Sequence, residues 1–208
     1  MNMSGNATEA INYHNQILKM IEVYNFLSMP VVASSIFGNV IIIVVFAREK
    51  VTTTGILFGI LAVADMLATF IGPLLKIIAG FSITARAYLG GSFVVSTYLE
   101  FIGETITALS TWTLVTITTE RFLSIAMPFN VKQLVTVPRV ILAETATCIS
   151  VVVIQYMRHF LAVEFVKRQG MWGPAHRSDT WLKFDFISDW VCFTVIPYIF
   201  IITASLTI

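Results

Sequence analysis

The sequence predicts an all-α membrane protein with five spans, and three observations carry that prediction. Of the 208 residues, 57% are hydrophobic and only 12% are charged, against about 25% charged in an ordinary soluble domain. With a mean hydropathy of +0.84, the chain lacks the polar groups to cover its own surface, and lipid is the solvent that fits. The apolar residues also fall in runs long enough for a bilayer core, which takes about 20 helical residues. Helix is favoured over strand because an open strand edge leaves unpaired backbone groups in hydrocarbon, and barrel strands need only about 9–11 residues.

Net charge is +1, with no long block of like charge, so nothing argues for nucleic acid as a partner. Cys148 and Cys192 both lie inside apolar runs and read as small hydrophobes, not as a disulfide framework or metal cluster. Enzyme signatures are missing: there is no HExxH, GxSxG or glycine-rich phosphate loop, and His14, His159 and His176 are scattered.

In chain order, residues 1–25 read as a polar extracellular tail and 26–208 as the transmembrane domain. The tail opens MNMSGNATEA, which lacks the basic start and apolar core of a signal peptide. It carries two glycosylation sequons, at Asn2 and Asn6, which point to an N-terminus outside the cell. The spans are placed near 26–47, 55–80, 92–125, 139–157 and 186–208, joined by short connections and one long loop from Arg158 to Asp185. Pro30 lies early in the first span, whereas Pro73 and Pro197 should bend the second and fifth. With the N-terminus outside, the connections near 48–54 and 126–138 are cytoplasmic. Lys and Arg counts do not decide the orientation independently.

Polar residues within the apolar runs are the candidate functional positions, because a charge in hydrocarbon is costly unless hydrated, neutral or paired. Asp65 sits mid-helix in GILAVADMLATF, and Asn39 and Ser110 lie at comparable depth, so the three could share a polar cluster or simply join helices. Glu100 and Glu104 are four apart and share one face of the third helix. Their mutual repulsion calls for a retained proton or a cation, supplied by a basic ligand or by Lys76 or Lys183. Glu144 is a further mid-helix acid with no evident partner. Trp172, Trp181 and Trp190 read chiefly as an interfacial aromatic belt and loop lid.

These residues resemble the first five helices of a rhodopsin-like, class A G-protein-coupled receptor, as part of a seven-transmembrane bundle. The likeness rests on Gly38-Asn39, on LAVAD with Asp65 and Pro73, on Ser110 through Glu120-Arg121-Phe122 to Pro128, and on Pro197 in FTVIPYIF. It implies that Asp65, Asn39 and Ser110 line a pocket for sodium and water. It also implies that Arg121 pairs with Glu120 at rest and turns to a heterotrimeric G protein on activation, Phe122 replacing the usual tyrosine. Ligand contacts would fall at Glu100, Gly103, Glu104 and Thr107, and the protein would sit in the plasma membrane without a cofactor beyond that sodium ion.

The chain departs from the family pattern in places. Ser96 stands where a helix-three cysteine is usual, and the 158–185 loop has no cysteine, so the usual extracellular disulfide is absent. Helix four lacks its tryptophan, and Ser205 replaces a helix-five tyrosine. The sequence stops at Ile208, inside the fifth run, and is expected to be part of a longer receptor. The alternative is a truncated, non-signalling membrane protein that associates with full-length receptors.

Overall fold

A computed structural model describes residues 3–48, 52–168, 171–176 and 178–206. Helix α1 runs Met3–Arg48, of which Val23–Arg48 is apolar enough to span; α2 is Thr53–Phe81. A short α3 (Ile83–Gly91) leads into the 34-residue α4 (Phe93–Ala126). After a single turn, α5 (Val131–Leu134), come α6 (Val137–Leu161), the antiparallel strands β1 (Val163–Arg168) and β2 (Met171–His176), and α7 (Asp179–Leu206).

The expected count of five spans is corrected to four. Among the described residues, Val23–Arg48, Thr53–Phe81, Val137–Leu161 and Asp179–Leu206 are long and apolar enough to cross a membrane. The segment expected near 92–125 is a helix, but α4 is not one of them. It carries Glu100, Glu104, Glu120, Arg121 and a dense series of Ser and Thr. Many of its hydroxyls are satisfied within the helix: Thr105, Thr107, Thr113 and Thr118 each donate to the carbonyl four residues earlier, at 2.6–2.9 Å. Packed against α2, α6 and α7, α4 buries Thr97, Thr105, Thr113 and Ile117 and can be polar because other helices cover much of it.

The all-α expectation is corrected as well. The stretch from Arg158 to Asp185, read as one long loop, holds the β1–β2 hairpin in the register Val163↔His176 to Arg168↔Met171. Residue alternation is weak there and Pro174 lies in β2, so the pairing had no clear signature. The same stretch holds the first turns of α7, capped by the Ser178 hydroxyl accepting from the Trp181 amide.

Helix packing uses small polar and apolar groups together. Leu57, Ile117 and Val140 form one buried cluster joining α2, α4 and α6, and Ala108, Val151 and Phe193 form another joining α4, α6 and α7. Thr52 caps α2 by accepting from the Gly55 amide at 3.0 Å. Pro73 falls in a π-helical turn, Phe70–Leu74, as its missing N–H predicts. Pro197 instead lies two residues beyond the π-helical stretch Ser188–Val195.

Candidate functional site

Helix α4 carries candidate groups at both ends, Glu100 and Glu120 being about 30 Å apart at the rise of an α-helix. Near the Glu100 end, a cavity of about 830 Å³ opens between α2, α4 and α7. All four expected ligand positions, Glu100, Gly103, Glu104 and Thr107, line it, opposite Lys76 from α2 and Asp189 from α7. Gly103 has a packing reason: a Cβ there would meet the Ile71 methyl at 3.3 Å, so glycine lets α2 and α4 close up beneath the cavity.

The two glutamates, expected to act as a pair, have different surroundings. Glu104 Oε2 lies 3.2 Å from the Arg158 guanidinium, whereas Glu100 makes no hydrogen bond or ion pair among the described residues. Arg158 is 5% exposed and also reaches Asp185 at 2.8 Å and Asp189 at 3.4 Å. The Gln155 side-chain oxygen accepts from it at 3.0 Å, and the Phe193 ring lies 5.8 Å away. One buried arginine therefore ties α4 and α7 to α6. By sequence alone Arg158 falls at the start of a loop, and Lys76 or Lys183 is the expected basic partner. The available signal was the Asp185/Asp189 pair, four residues apart on one helix face and in need of a cation.

Midway along α4, the Ser110 hydroxyl donates to the Asp65 carboxylate, joining α2 and α4. Asn39 does not bond Asp65 directly. Its amide donates to Ser35 Oγ at 3.4 Å, Ser35 bonds Thr69 at 2.8 Å, and Thr69 donates to the Asp65 carbonyl at 2.7 Å. The three expected members thus belong to one connected network, with Asn39 reaching it through Ser35 and Thr69. Asp65 and Ser110 offer the oxygen donors that a small hard cation takes; Asn39 is engaged one step away.

At the far end, no ion pair joins Glu120 to Arg121 among the described residues. Glu120 is buried and its Oε1 accepts from Thr53 at 2.6 Å and Thr54 at 2.9 Å, while Oε2 is buried without a partner. Arg121 is exposed, with its guanidinium carbon 5.6 Å from the Phe58 ring centroid. Phe58 in turn stacks on Phe46, centroids 5.6 Å apart and planes 1° from parallel. Consecutive helical residues point about 100° apart, so the first turn of α2 captures Glu120 while Arg121 faces outward. Phe122 is half-buried beside them. Glu144, for which no partner was evident, accepts from Thr113 at 3.2 Å. Asn2 lies outside the described residues, and Asn6 falls within α1.

Four long apolar helices, three of them packed on a polar helix with a cavity at one end of it, make this a multi-pass helical membrane protein. The family model for the 7 transmembrane receptor (rhodopsin family) matches residues 38–208, most of the chain, and the chain belongs to that family. Its members are receptors and not enzymes. No curated protein matches the chain as a relative.

Proposed function

We propose that this chain is part of a plasma-membrane receptor, N-terminus outside and glycosylated at Asn2 and Asn6, that binds an extracellular ligand and, when complete, signals through a heterotrimeric G protein. The observation that carries the reading is the cavity lined by Glu100, Gly103, Glu104 and Thr107 on the same helix that bears Glu120, Arg121 and Phe122 at its other end. A rigid helix with a ligand cavity at one end and an exposed arginine at the other can bias a G-protein-facing surface, provided the ligand binds one conformation better than another.

The acids around the cavity favour a cationic ligand: Glu100, Glu104 and Asp189 line it against Lys76. Asp65 and Ser110, with Asn39 in the same network, are the proposed site of a bound sodium ion, which would supply positive charge to the Asp65 carboxylate between α2 and α4.

Nucleotide exchange on heterotrimeric G proteins tests the reading in cells expressing the full transcript, challenged with arylalkylamines, guanidines and their neutral analogues. A cation-selective response that disappears in Arg121→Ala supports it. A response untouched by Arg121→Ala rejects the role given to that arginine. Sequencing the transcript past the Ile208 codon separates the receptor reading from a non-signalling protein that associates with full-length receptors: two further apolar runs favour the first, a stop codon the second.

A further inference from the structure

Glu100 and Glu104 look equivalent by spacing, and the structure makes them unlike. Glu104 is engaged by Arg158, whose other contacts reach Asp185, Asp189 and Gln155. Arg158 is buried while Glu104 keeps about half of its side chain open, its relative exposure being 47%. A buried guanidinium is costly unless its donors are filled, so these carboxylates compensate its burial and hold it in place. Replacing Glu104 leaves a buried charge short of a partner. Glu100 has no such obligation: it lines the same cavity, and among the described residues it has no hydrogen bond and no ion pair, although the charge of Lys76 on the facing wall acts on it from a distance.

We infer that the two carboxylates divide the work: Glu104 is a positioning residue, a strut of an Arg158-centred brace between α4, α6 and α7, and Glu100 is the anchor for a single positive charge on the ligand. This rests on the cavity being the ligand site. It adds a specificity rule that the sequence could not state, because the ligand meets one free carboxylate and not two. A monocation with an apolar body suits the cavity, whose other wall groups include Ile71, Leu99 and Phe193. A dication would have to strip Glu104 from Arg158 to place its second charge.

The brace also spans a region where the chain has no disulfide. Ser96 and the cysteine-free hairpin leave α4 and α7 to be held by non-covalent contacts, and the Arg158 contacts link them at the cavity edge. Loss of the brace should therefore loosen the cavity wall as well as lower stability.

The test uses the protein of the full transcript in lipid nanodiscs, with 2-phenylethylamine as the monocationic probe and 2-phenylethanol as its neutral counterpart, read by thermal unfolding. A ligand that binds only the native state raises the midpoint with its concentration. The expected result is a rise with the amine and none with the alcohol. Glu100→Gln should lose that rise with its probe-free midpoint unchanged. Glu104→Gln should lower the probe-free midpoint by several degrees yet keep a rise with the amine. Combining Glu104→Gln with Arg158→Gln should cost less than the two single losses added together, as expected for residues in one network.

Two results overturn the division: a rise retained in Glu100→Gln, or one lost in Glu104→Gln with an unchanged probe-free midpoint. Additive losses for Glu104 and Arg158 overturn the brace. If no midpoint rises in the wild type with this amine or with guanidine-bearing analogues, the cationic-ligand reading of the cavity fails and the anchor role of Glu100 with it. The Glu104–Arg158 cycle is read without any ligand, so that failure is distinguishable from failure of the brace.

Discussion

Thr53 donates to the Glu120 carboxylate at 2.6 Å, so the first turn of α2 holds the acid that sequence pairs with Arg121. Thr54 adds a second donor at 2.9 Å to the same oxygen. The buried acid is thereby separated from its neighbouring base, which rests over Phe58. The cytoplasmic end proposed for α4 is thus held by two hydroxyls and one aromatic face.

Removing both hydroxyls should be costly. In Thr53→Val/Thr54→Val, Glu120 Oε1 loses its two donors and joins Oε2 as a buried oxygen without a partner. The expected loss is about 1–3 kcal/mol, seen as a lower unfolding midpoint in nanodiscs. Thr54→Val alone should cost less, since Thr53 still donates. An unchanged midpoint in the double variant would show that Glu120 is not held this way.

Glu144 behaves oppositely. Its Oε2 has one long bond from Thr113, its Oε1 is buried without a partner, and Thr113 has a better acceptor in the Leu109 carbonyl at 2.9 Å. Replacing both members by apolar groups of similar size, Glu144→Met/Thr113→Val, should leave stability unchanged or raise it, because a poorly satisfied acid is removed with its donor. A fall of the midpoint by several degrees would mean that Glu144 has a stabilising role beyond this bond.

At the junction of α1 and α2, Gly80 leaves room for Asn25, which is 3% exposed. A Cβ at Gly80 would come within 1.8 Å of the Asn25 amide nitrogen, a clash that cannot relax without moving a buried side chain. Gly80→Ala is expected to destabilise by about 1–3 kcal/mol, and Asn25→Ser on that background to recover part of the loss. Full stability of Gly80→Ala would place Asn25 elsewhere.

Sodium offers a fourth measurement. If Asp65 and Ser110 hold the ion, replacing choline chloride by sodium chloride at constant ionic strength should raise the unfolding midpoint, and Asp65→Asn should abolish the difference. Equal midpoints in the two salts would remove sodium from the account of this network.

Legibility from sequence differs between fold and site for a physical reason. The apolar runs that form α1, α2, α6 and α7 are readable because lipid-facing surface needs apolar side chains along whole turns, and that need is local. The run at α4 has the length of a span but not the composition of one. Its apolar residues are interleaved with Glu100, Glu104, Glu120 and hydroxyls that suit a helix covered by neighbours. The hairpin at Val163–His176 has no clear alternation, so its sequence resembles that of a loop.

Chain order alone determined the membrane character, the approximate helix bounds and the Glu100–Glu104 pair on one face of α4, while Gly103 and Thr107 were implied by the family resemblance. Tertiary structure decided their partners. Ion pairs and hydrogen bonds act over a few ångströms between residues far apart in sequence. Only the packing of α6 and α7 could bring Arg158 to Glu104, and only the first turn of α2 could bring Thr53 to Glu120. The same packing leaves Glu100 without a hydrogen bond or ion pair among the described residues, with the charge of Lys76 acting on it across the cavity.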